Sequence, residues 1–146
     1  MPYIASIMRQ TIKLAKGEYY GFINNDILFE PSLFPALETL TKYKKHRSIG
    51  SFVSIVFNTY NLFSTPKLQF NTTEMYEEFF DRAIREADGK KRSSSSADLI
   101  IFSKEFQRYP MREDIVIGRP KVDSYLMGYT LSNGGQMVFG RFAGRR

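Results

Sequence analysis

The stretch from Gly17 to Phe34, GEYYGFINNDILFEPSLF, sets an apolar strand, Tyr19 to Asn24, against a cluster of amide and acid side chains, Asn24, Asn25 and Asp26. In open α/β sheets ligands gather beyond the carboxyl ends of the strands, so Asp26 stands where a metal ion or a diphosphate is met. A carboxylate is a hard oxygen donor suited to magnesium or manganese, ions commonly held by one or two acids while substrate phosphates supply the rest. Asn and Asp also bond their own backbone and tolerate unusual dihedrals, so a plain turn is the competing reading of the same three residues. With no cysteine in the chain and a single histidine, His46, any metal must bind through oxygen or through that one imidazole.

The elements that would position Asp26 fit one domain, 1–146, long enough for a real core. Hydrophobic residues make up 42% of it, thirteen Phe and nine Tyr among the 146 residues, which is the composition of a folded protein. The net charge of +6 raises the question of nucleic acid. Its positive residues cluster in Lys42 to Arg47, Lys90 to Arg92, and Arg141, Arg145 and Arg146, ten of the 21 lysines and arginines. The first group closes a predicted helix, where cations offset the dipole, and His46 sits solvated within it. The aromatics do not interleave with these runs as a base-stacking platform requires, so no specific nucleic-acid partner is expected. No apolar run approaches the roughly 20 residues of a membrane span, and the first residues lack the layout of a signal peptide.

Helices and strands alternate along the chain. Ile4, Ile7, Met8, Thr11, Ile12 and Ala15 recur at helical spacing over residues 3–16, with Gly17 as the C-terminal cap. After the strand Tyr19 to Asn24, Pro31 and Ser32 open a helix with Leu33, Phe34, Leu37 and Leu40 on its apolar side. Ile49 to Phe57 reads as the next strand. Met75, Tyr76, Phe79, Phe80, Ala83, Ile84 and Ala87 then form the stripe of a third helix, stopped by Gly89. Ala97 to Ser103 is a strand, Val116 and Ile117 a short extended piece, Val122 to Leu131 a last helix, and residues 132–146 a tail. Residues 88–96 (DGKKRSSSS) carry no apolar anchor and read as a mobile loop, with a phosphate-contacting loop as the alternative. Such alternation predicts an α/β layered domain with a mostly parallel central sheet.

The stretch LAKGEYYGFINNDILFEPSLF, with Ala15, Gly17 and Tyr19 leading into a strand that ends in an acid motif, resembles the nucleotide-sugar-binding domain of GT-A fold glycosyltransferases. SADLIIFSKEFQ and DIVIGRPKVDSYLM resemble later segments of the same family, so the likeness spans about residues 2–131. It implies a partial GT-A-like layered fold and transfer of a sugar from a nucleotide-sugar donor to a hydroxyl acceptor. It also implies a divalent metal, Mn or Mg. The family's acid motif, D-x-D, stands here as N-x-D, which assigns the metal to Asp26 and a ribose or metal-water contact to Asn24. The family begins with further βα units that hold the nucleotide base, so the chain is expected to be N-terminally incomplete, a fragment or one half of a fold whose remainder a partner supplies. The alternative is a non-catalytic binding or scaffold module derived from the same fold.

Gly118, Arg119 and Asp123 match the family's catalytic end. Inverting transfer needs a carboxylate to take the acceptor's proton, and the resemblance gives that role to Asp123, with Arg119 on the phosphates or the acceptor. A first-turn acid that offsets a helix dipole is the other reading of Asp123. Asp98 is a candidate for contacting sugar or acceptor, or a simple strand-edge acid, and Glu113 and Asp114 read as a turn. Asn71-Thr72-Thr73 fits an N-glycosylation sequon, while Thr73 serves equally as a helix N-cap, the reading favoured by sequence.

Overall fold

The computed structural model describes residues 2–24, 27, 31–46, 52–57, 71–86, 99–118 and 121–140. In chain order these form α1 (Ile4–Leu14), β1 (Tyr19–Ile23), α2 (Leu33–Lys45), β2 (Val53–Phe57), α3 (Thr73–Glu86), β3 (Leu99–Ser103), a 3-10 turn (Lys104–Arg108), α4 (Val122–Ser132) and β4 (Gln136–Gly140). The expected α/β layering is present, and the three predicted strands share one sheet, in the order β1-β3-β2-β4.

That sheet is mixed, which corrects the mostly parallel arrangement read from the alternation. β3 runs antiparallel to both of its neighbours, with Tyr19 opposite Ser103, Ile23 opposite Leu99 and Ile55 opposite Ile101. Only β2 and β4 pair in parallel, Val53 beside Gln136 and Phe57 beside Gly140. β1, β2 and β4 therefore point one way, and β3 returns between the first two. β4 itself lies in the stretch read as a tail. It is set in register by Gln136 N–H donating to the Phe52 carbonyl at 3.0 Å.

Side-chain alternation along the strands sorts the core into two layers. Tyr20, Phe52, Val56, Ile100 and Phe102 face α1 and α4, meeting Ile4, Met8, Val122, Leu126 and Tyr129. Val53, Ile55, Phe57, Leu99 and Ile101 face α2, meeting Leu33 and Leu40. Every residue of β2 and β3 is buried, as two central strands covered on both faces must be. Three apolar-stripe assignments fail at the surface: Phe34 is 68% exposed, Met75 44% exposed, and Ala15, just past α1, is exposed too.

The helix ends also differ from expectation by small steps. α1 stops at Ala15, and Gly17 instead donates its N–H to the Tyr20 hydroxyl at 3.0 Å. The cap of α3 is Thr72, whose Oγ1 accepts the Met75 N–H at 3.3 Å, so Thr73 is the first helical residue. Lys42, Lys44 and Lys45 do occupy the last turn of α2, and His46 beyond them is exposed. Glu113 and Asp114 lie in a turn, and Val116 makes an isolated antiparallel bridge with Tyr3. Residues 88–96 and Gly89 lie outside the described residues. Among the described residues no helix is long and apolar enough to cross a membrane.

Candidate functional site

Three helices are each fastened by their C-terminal ends to the amino edge of the sheet's co-directional strands. At α1, the Tyr20 hydroxyl donates to the Ala15 carbonyl at 3.1 Å. At α2, Thr41 meets the Tyr19 hydroxyl at 2.9 Å, and Lys44 lies 5.8 Å from the centre of the Tyr19 ring. At α4, Gly135 N–H donates to the Thr130 carbonyl at 2.9 Å, immediately before β4 begins. Helices of 11 to 13 residues are about 16–20 Å long, and a five-residue strand is about 17 Å. Each helix is thus about as long as the strand it covers, α1 and α4 on one face of the sheet and α2 on the other.

None of these three N-termini is capped by its own N-cap side chain: Tyr3, Ser32 and Lys121 make no such bond. Uncapped first-turn N–H groups and the positive end of the helix dipole make each such helix start favourable to an anion. α1 does gain one partner there, since Ile4 N–H donates to the Ile115 carbonyl at 3.0 Å and Ile117 N–H to the Pro2 carbonyl at 3.0 Å. These bonds bring the segment that ends in Gly118 against the start of α1.

Gly118 and Lys121 both adopt left-handed backbone, φ 81° and φ 76°. For glycine this conformation is ordinary; for lysine it is strained and is retained only where the surroundings impose it. Sequence reasoning did not single out Lys121, although the Gly118-Arg119-Pro120 run before it signals a sharp turn.

The predicted site residues divide into two groups. Asn24 follows β1 directly and is half-buried, and Ile27 N–H points at its carbonyl from 3.4 Å, the spacing of a turn. Gly118 is exposed, and Asp123 is half-buried in the first turn of α4. Gly118 lies next to the segment bonded to the start of α1, through Ile117 N–H to the Pro2 carbonyl at 3.0 Å. Asp26, Asp98 and Arg119 lie outside the described residues. Among the described residues no three acidic or imidazole side chains gather about one point.

The amino edge is occupied by fastening contacts. Lys44 Nζ approaches Glu105 Oε2 at 2.7 Å, with the two side chains only 12% and 14% exposed. Burial alone would raise the Glu105 carboxyl, but hydrogen bonds from Lys44, Ser103 and the backbone hold it below its ordinary value. The Tyr129 hydroxyl lies 2.9 Å from the Phe106 carbonyl and 2.8 Å from that of Tyr109, and burial pushes its phenol well above the usual range. Exposed pairs, Arg9 with Glu113 and Arg112 with Asp114, hold their carboxylates low through side-chain hydrogen bonds.

No protein-family model matches this chain, and no curated protein or solved structure matches it.

Proposed function

We propose that the chain is a GT-A-like glycosyltransferase domain that transfers a sugar from a nucleotide-sugar donor to a hydroxyl acceptor. The observation that supports this reading is that α1, α2 and α4 each start without a capping bond from the N-cap side chain, with Asn24 directly after β1, Gly118 in left-handed backbone and Asp123 in the first turn of α4. Helix starts of that kind suit the diphosphate of a nucleotide sugar, whose charge helix dipoles and main-chain N–H groups neutralise.

The donor atoms offered along this stretch are oxygens, the amide of Asn24 and the carboxylates of Asp26 and Asp123, a set that fits a hard divalent ion such as Mn or Mg. Asp26 would hold the ion with the diphosphate, and Asn24 would contact ribose or a metal-bound water. The ion, when bound, supplies neutralisation of the leaving diphosphate. Arg119 adds a fixed positive charge for the phosphates or the acceptor, and Asp98 contacts sugar or acceptor. Asp123 takes the proton of the attacking hydroxyl.

A second reading has its own observation. β1 is the outer strand of the sheet, paired on one side by β3 and by no other strand among the described residues. A wall for the nucleotide base would have to stand beyond it. A fold half supplied by a partner would provide that wall; without one, the chain is a binding or scaffold module of the same ancestry.

Calorimetric titration of manganese with and without a nucleoside diphosphate tests the site. The wild type is expected to bind the ion more tightly when the diphosphate is present, and Asp26→Asn to lose that gain. Equal responses from both proteins return Asn24, Asn25 and Asp26 to the plain turn.

A further inference from the structure

Asn71 opens the chain's Asn-x-Thr sequon and sits, exposed, at a bend just before α3. The competing use of this tripeptide was as a helix cap, which would occupy the hydroxyl at its third position. The structure assigns the cap elsewhere. Thr72 Oγ1 accepts the Met75 N–H at 3.3 Å and also bonds the Glu74 carboxylate, which helps hold that acid below its ordinary value. The middle residue of the sequon, whose side chain glycosylation does not need, thus does the capping. Thr73, whose hydroxyl the acceptor pattern requires, is exposed, and nothing among the described residues pairs with its side chain or with the Asn71 amide.

We propose that Asn71 is an N-linked glycan acceptor. The Asn71 Nδ2 atom attacks the anomeric carbon of an oligosaccharide carried on a polyprenyl diphosphate. The new C–N bond forms as the bond from that carbon to the diphosphate oxygen breaks, the electron pair leaves with the lipid diphosphate, and the Nδ2 proton passes to a base of the transferring enzyme. Nothing is oxidised or reduced. The folded chain accommodates the product because Asn71, Thr72, Thr73 and Glu74 are all exposed, so a glycan need displace no packed side chain among these described residues.

The test is expression of the full chain behind a cleavable leader in a eukaryotic secretory pathway, with a sequon-bearing reporter as a control for the machinery. The wild type is expected to carry one glycan, removable by an amidase specific for N-glycans. Asn71→Gln and Thr73→Val should abolish it, whereas Thr73→Ser and Thr72→Ala should keep it. The glycosylated and amidase-treated chains should melt at the same temperature. An unmodified wild type beside a modified reporter overturns the proposal, as does a glycan that survives Thr73→Val. A marked fall in melting temperature with the glycan attached overturns the claim that the fold accommodates it.

Discussion

Lys44 and Glu105, 61 positions apart in sequence, meet at 2.7 Å with both side chains largely withdrawn from water. The pair ties the end of α2 to the turn after β3, beside the Tyr19–Thr41 hydrogen bond that ties the same helix to β1. It fixes the end of α2 opposite to its N-terminus.

Removing one partner leaves a charge stranded in a poorly solvated place. Lys44→Met is expected to cost about 1–3 kcal/mol, between the small worth of exposed pairs and the larger loss on breaking buried ones. The Glu105 carboxyl is held below its ordinary value of 4.5 in the folded chain, so its contribution is complete above that value and disappears as pH falls through the lower folded one. Urea melts of wild type and variant should therefore differ most near neutrality and converge in acid. A difference that stays constant down to the acid transition would mean that the pair does not titrate with folding.

Tyr129 carries the other polar tie, its hydroxyl shared between the Phe106 and Tyr109 carbonyls. Tyr129→Phe removes the donor from both carbonyls, of which Phe106's still accepts the Tyr109 N–H, and is expected to lower stability by about 1–3 kcal/mol. Because burial raises the phenol's folded value above its ordinary 10.0, Tyr129 stabilises fully below that pH and less as pH climbs past it. The variant should lose less stability than wild type in alkaline denaturation curves, and parallel curves would refute this.

Two glycines around α4 should respond in opposite directions. A Cβ at Gly135 would stand 2.8 Å from Phe52 Cδ1 and 2.9 Å from the Thr130 backbone carbonyl, whereas one at Gly128 meets nothing within 4 Å. Gly135→Ala is expected to destabilise by about 1–3 kcal/mol through overpacking at the α4–β4 corner. Gly128→Ala, inside the helix, should stabilise by about 0.5–1 kcal/mol. Thermal melts of the two single variants check both signs.

β2 and β3 were legible in the sequence because a strand buried on both faces must be apolar throughout, and Ser54 and Ser103 interrupt those runs without exposing them. The direction of β3 was not legible, since helix-strand alternation looks the same whether a strand continues the sheet or returns through it. β4 escaped notice because QMVFG is short and its place depends on pairing with β2, which no local pattern records. The Lys44–Glu105 contact was hidden for the same reason, and a basic helix end looked like a solvated one. Of the site, the sequence showed that β1 ends at Asn24. The bonds that tie the segment before Gly118 to the start of α1 join distant parts of the chain, which no local pattern records.

Asp123 sits half-buried in the first turn of α4. If it is the base, its carboxylate acts only as the acceptor hydroxyl loses its proton, and the donor binds equally well without it. In a sugar-transfer assay, Asp123→Asn is expected to lower kcat by about 10²–10⁴-fold, the range of general-base catalysis. The affinity for the nucleotide sugar, measured by calorimetry, should remain within a few-fold of wild type. Such a split marks the loss of an interaction made in the transition state and not in the ground state. As an acid that merely offsets the α4 dipole, Asp123 would be worth about 0.3–1 kcal/mol of stability, and its amide variant would turn over normally. Normal turnover with a slightly lower melting temperature would remove Asp123 from the chemistry and leave it as a helix-start acid.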